Sequence, residues 1–155
     1  MSLRRLGQES LDLFQLHRVD DGVPADEQFG LLRALLDEGK VRAAGLSNVT
    51  VDQVVAARAV VPVVTVQNRY NATDRSSEAV LDYCEAEGIG FIPWYPVASG
   101  VLARGGGGLD ELARDRGVSV AQLSIAGSSP DHRSYCRSPA RPGWRTSRRT
   151  AQPLR

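Results

Sequence analysis

Residues 11–18 read LDLFQLHR, a largely apolar run that stops at His17. Six residues are too few for a packed helix, and a short apolar run of this kind bounded by polar residues reads as a strand buried in a sheet. Three further runs follow at wide spacing: VRAAGL at 41–46, VVTV at 63–66 and IGFIP at 89–93.

The stretches between these runs have a helical period. Ser2–Gly7 reads as the end of a helix, and Asp20–Pro24 as a turn. From Asp26 to Glu38, Phe29, Leu32, Leu35 and Leu36 recur on one face, acids occupy the first turn and Gly39 supplies the stop. Thr50 is placed to cap a helix through Val60, with Pro62 marking its end, and Ser76 or Ser77 to cap one through Glu87, with Gly88 terminating it. Ala98–Gly108 is a glycine-rich loop, followed by helical stretches at Leu109–Arg116 and from Ser119 onward.

Strand and helix taking turns means a parallel sheet, because consecutive parallel strands need a crossover. The predicted class is therefore α/β with about four consecutive βα units, which fits an arc of a (β/α)8 TIM barrel or an open doubly wound sheet. No GxGxxG follows the first run, and the glycines at 105–108 have no strand in front of them. A dinucleotide fingerprint of the doubly wound kind is thus missing, and the partial barrel is favoured.

Hydrophobic residues make up 42% of the 155 and charged residues 24%, the balance of a chain with one ordinary core. The net charge of +1 conceals an asymmetry. Arg133, Arg137, Arg141, Arg145, Arg148, Arg149 and Arg155 face only Asp131 in the tail. Residues 1–126 are expected to form the partial barrel and 127–155 a basic tail rich in Ser, Pro and Arg, disordered or out of frame. There is no apolar run of membrane-spanning length and no secretory signal, so the expected setting is cytoplasmic. Cys84 and Cys136 lack any metal or disulfide spacing and are read as free thiols.

In a (β/α)8 barrel the reacting groups sit at the C-terminal ends of the strands. Here those positions hold His17, then Ser47 and Asn48, then Gln67 and Asn68, then Trp94 and Tyr95. Each also has an ordinary role: His17 as a hydrogen-bonded structural residue, Ser47–Asn48 as a turn, Gln67 and Asn68 bonding loop backbone, and Trp94 as core.

Taken together, and in this order, DLFQLHR, GKVRAAGLSN, VQNRYN and GIGFIPWYPVASGVLA resemble the middle barrel strands of the aldo-keto reductases across Ser2–Ala126. The resemblance implies NADPH-dependent reduction of an aldehyde or ketone, or oxidation of the corresponding alcohol. His17 would then hydrogen-bond and orient the substrate carbonyl. Ser47, Asn48 and Gln67 would hold the nicotinamide carboxamide, Trp94 would stack on the nicotinamide, and Tyr95, Pro96 and Val97 would lie along the pyrophosphate. The glycine-rich loop after Gly100 would fold over the cofactor. No metal is implied.

The same resemblance implies that the family's catalytic Asp, Tyr and Lys belong to earlier strands, so that the chain begins at the helix before the fourth one and is inactive as a fragment. Lys40, the sole lysine, opens a strand and would lie at the stability end of the barrel.

From Gly127 the apolar period stops. Codons can be chosen so that one inserted base turns GSSPDHRSYCRSPARPGWR, residues 127–145, into WLLARSPVLLPIPGTSRLE. That string supplies the helix, last strand and phosphate loop the family would have next, so a one-base loss near Ala126 is expected. Two alternatives make the chain non-catalytic: a basic tail binding nucleic acid, with Tyr135 and Trp144 among its arginines, and an interaction module that self-associates through exposed barrel edges.

Overall fold

The computed structural model describes residues 2–95 and 108–127. Four strands, β1 (Phe14–Leu16), β2 (Ala44–Ser47), β3 (Val63–Arg69) and β4 (Gly90–Trp94), form one sheet in the order β1-β2-β3-β4, with every neighbouring pair parallel. Helices alternate with them: α1 (Ser2–Leu6), α2 (Ala25–Asp37), α3 (Val51–Arg58) and α4 (Glu78–Ala86), then α5 (Gly108–Asp115) and α6 (Val120–Gly127). The sequential order, without the reversal of a doubly wound sheet, is that of an arc of a (β/α)8 barrel, the favoured of the two expected arrangements.

The periodicity of two sorts the strand residues onto two faces. Leu46, Val66 and Phe91, register neighbours on β2, β3 and β4, are fully buried and join Phe29, Leu32, Val54, Ala57, Leu81 and Cys84 in the core between sheet and helices. The other face carries mostly small and polar residues: Gln15, Gly45, Thr65 and Gly90 make one row, and Ser47, Gln67 and Ile92 the next. In the first row the Gln15 amide donates to Thr65 Oγ1 at 3.1 Å across Gly45. A Cβ on Gly45 would lie 2.3 Å from that oxygen, so only glycine admits the bridge.

The helix ends follow the sequence signals with one exception. Thr50 makes a full capping box on α3: its hydroxyl accepts from Gln53 N at 3.3 Å, and its own N–H donates to Gln53 Oε1 at 3.0 Å. Gly39 and Gly88 follow α2 and α4 at φ +68° and +67°, the left-handed geometry of a C-terminal stop. The expected serine cap of α4 is not made. Ser77 stands at the N-cap without a side-chain bond to the helix, and its hydroxyl takes a hydrogen bond from Asn68 instead.

Some boundaries also differ. Leu11–Leu16 is not one continuous strand: Leu11 bridges Val41, and the named strand begins at Phe14, after the exposed Asp12 and Leu13. β3 runs three residues beyond Val66 and so carries Gln67 within it, while α3 ends at Arg58 rather than Val60. The expected loop at 98–108 lies outside the described residues up to its last glycine, Gly108, which opens α5, and the basic tail lies outside them from Ser128.

Candidate active site

The C-terminal ends of the strands open on a cleft of ≈ 650 Å³ lined by His17, Ser47, Asn48, Gln67 and Trp94 together with Arg18, Val19, Asp21, Thr50 and Gln53. Five of the seven strand-end residues are therefore gathered there, and Asn68 and Tyr95 are not among the lining. Register explains the pairing of two of them, since Ser47 and Gln67 are direct neighbours on β2 and β3.

Asn48 is the hub of the rim. It follows β2 with φ +54°, a conformation that asparagine tolerates better than most side chains. Its backbone N–H donates to Gln67 O at 3.0 Å. Its side-chain nitrogen donates to His17 O and to Ser47 Oγ, both at 3.0 Å, and its Oδ1 accepts from the Trp94 indole N–H at 2.9 Å. An indole nitrogen can only donate and a carbonyl can only accept, so the chemistry permits one orientation of this amide. Three strand ends are thereby tied through one side chain.

These bonds divide the labour among the polar groups. Both ends of the Asn48 amide are committed to protein partners, so it sets the positions of Ser47 and Trp94. Ser47, 5% exposed, accepts from Asn48 through Oγ and keeps its own proton to give. The Gln67 side chain has no described protein partner and presents one acceptor and two donors on the cleft side of β3. His17 is exposed at the cleft wall.

Asn68 belongs elsewhere. It is buried on the helix side, where it donates to Val49 O at 2.7 Å and accepts from Val49 N at 3.1 Å. Alternation along β3 separates it from Gln67, and its work is to fix the β2–α3 connection. Tyr95 follows Trp94 with φ +70°, its carbonyl accepting from the buried Asn71 at 3.3 Å. Pro96 and Val97 lie outside the described residues.

Arg69 was not singled out by its sequence position. It is paired in register with Trp94, its guanidinium lies 4.8 Å from the Tyr95 ring centre and 5.9 Å from that of Trp94, and its Nε meets Asp74 at 2.8 Å. Hydrogen bonds from the Ser76 hydroxyl and N–H hold the Asp74 carboxyl below its usual range, with Arg69 contributing, so the partner of Arg69 stays anionic. The available signal was a basic residue two positions beyond Gln67, hence on the same strand face. Lys40 sits at the opposite end of the sheet, lining a separate hollow with Leu11, Phe14 and Val41 and pairing with Glu38.

The profile of the Aldo/keto reductase family matches residues 1–126. The chain is 49% identical over 126 residues to an uncharacterized oxidoreductase of Schizosaccharomyces pombe, an alignment covering 81% of this chain and 41% of that one. Among solved structures it resembles a glycerol dehydrogenase of Gluconobacter oxydans, with TM-score 0.72 and 29% identity over 79% of this chain and 47% of the other. It also resembles an aldo-keto reductase of Klebsiella pneumoniae in complex with NADPH, with TM-score 0.68 and 30% identity over 81% and 46% of the two chains. The chain thus spans less than half the length of these relatives, and it belongs to the aldo/keto reductase family.

Proposed function

We propose that this chain carries the nicotinamide-binding arc of an NADPH-dependent carbonyl reductase acting on aldehydes or ketones, and that alone it does not turn over. The observation that carries this reading is the convergence of His17, Ser47, Asn48, Gln67 and Trp94 from four strand ends on one cleft. A carboxamide offers one acceptor and two donors, and the free Ser47 hydroxyl proton with the uncommitted Gln67 amide complement that set. Trp94, its indole edge taken by Asn48, offers ring surface for stacking.

When bound, the cofactor supplies the hydride. The protein's share is to orient and to exclude water. Asn48 holds Ser47 and Trp94 in fixed relation, so that the carboxamide contacts and the aromatic contact are made without further reorganisation. His17 is positioned to donate a hydrogen bond to a substrate carbonyl and to orient it; Tyr95, Pro96 and Val97 would follow the pyrophosphate. Among the described residues the cleft lining holds no tyrosine or lysine beside His17, in keeping with the proposal that the arc alone does not turn over. On this reading the tail from Gly127 is out of frame.

NADPH fluorescence is to be titrated with this chain and with a version extended at both ends, the second having the reading frame restored after Ala126. The extended protein is expected to bind NADPH and reduce a simple aldehyde, and the short form to do neither. Turnover by the short form would refute the reading, as would an extended protein that ignores NADPH.

A further inference from the structure

We infer that Arg69 is a positioning residue that, with Tyr95 braced beside it, fixes Trp94 as a preformed platform for the cofactor ring. The inference deepens the cofactor reading above and rests on it. Trp94 is held at its edge by Asn48, but a single hydrogen bond leaves an indole free to tilt about that bond. Arg69 supplies the second constraint, because it is the register partner of Trp94 and its side chain rises from the same face of the sheet. Its guanidinium contacts both rings, which themselves meet edge to face at 5.9 Å and 66°.

A flexible arginine would hold nothing. This one is anchored behind by Asp74 at 2.8 Å, and Asp74 is in turn fixed by Ser76 and by two backbone bonds to Asn71. Asn71, 1% exposed, closes the circuit by donating to Tyr95 O, which holds Tyr95 in its left-handed conformation. The segment 71–76 is therefore a buttress, and Arg69 is the contact through which it acts on both rings. Planarity and delocalised charge suit arginine to this place, and lysine would keep the ion pair while losing the broad contact with both rings.

The test uses Arg69→Met and Arg69→Lys in a Trp144→Phe background, where Trp94 is the sole indole. Near-UV circular dichroism and acrylamide quenching of Trp94 are read on the chain without cofactor. Both variants are expected to lose most of the aromatic dichroism and to quench more readily, at unchanged far-UV signal. In the length-restored enzyme the NADPH KM should rise about fivefold, from the loss of a contact of the cation–π class, with kcat and the carbonyl KM within about twofold. Should Arg69→Met fail to fold, Arg69→Lys, which preserves the Asp74 pair, carries the test. Unchanged Trp94 signals would overturn the inference, and so would altered signals with an unmoved NADPH KM. The cofactor-free readouts stand even where the cofactor reading fails, so the two failures are told apart.

Discussion

Gly45→Ala is the sharpest test of how the arc is built. The added Cβ would meet Thr65 Oγ1 at 2.3 Å and both Thr65 O and Gln15 Cγ at 3.0 Å. The hydroxyl can rotate away, but the carbonyl belongs to the β2–β3 ladder and moves only with its strand. Overpacking of this kind costs about 1–3 kcal/mol. Turning the Thr65 hydroxyl aside also breaks its bond with Gln15, for about 1 kcal/mol more. The sum is about 2–4 kcal/mol, which at a urea slope of about 2 kcal/mol/M lowers the unfolding midpoint by about 1–2 M. Urea titration followed by far-UV circular dichroism reads the shift. Adding Thr65→Ala removes the closest clash while leaving the carbonyl contact, so the double variant should recover about half of the loss. A midpoint within about 0.3 M of the parent for Gly45→Ala would refute the close approach of β1 and β3 across Gly45.

Two further outcomes follow from features away from the cleft. Thr50→Ala deletes the hydroxyl half of the α3 capping box and should cost about 1 kcal/mol in the same urea assay, whereas Thr50→Ser should restore most of it. Burial pushes the Cys84 thiol up to about 12, so in a Cys136→Ser background it should resist alkylation at pH 8 until the protein unfolds. The unfolded chain ionises this thiol near its ordinary value while the folded chain keeps it neutral. Cys84 therefore favours folding up to about pH 9, and its contribution fades as pH climbs from there through about 12; a midpoint that rises over that range in the parent relative to Cys84→Ala would contradict the burial.

Much of the fold was legible because alternating short apolar runs and amphipathic stretches admit few parallel arrangements. The helix stops at Gly39 and Gly88 and the Thr50 cap were readable because each depends on a local residue type. Ser77 departs from the local capping rule for a longer-range reason: Asn68, nine residues earlier, donates to its hydroxyl, and no local rule reveals that competitor. The break at Asp12 and Leu13 is not legible in the sequence because both residues are exposed at the margin of the sheet, where apolarity alone does not guarantee pairing. At the cleft, strand-end position pointed to His17, Ser47, Asn48, Gln67 and Trp94, which line it, but also to Asn68 and Tyr95, which do not. The division between Asn48 as organiser and Gln67 as open amide depends on who bonds whom, which spacing cannot show. Arg69 stayed hidden because its partners, Asp74 and Tyr95, come from different loops.

The sheet order β1-β2-β3-β4 has a consequence for how the molecule comes into being. Among the described residues each strand hydrogen-bonds to its neighbours in chain order, so each new unit finds its template already in place. Each pairing waits only for one helical crossover to emerge, and synthesis at about 5–20 residues per second leaves ample time for each βα unit to dock as it emerges. Trp94, at the end of the last of these strands, arrives after Asn48 is already waiting to receive it.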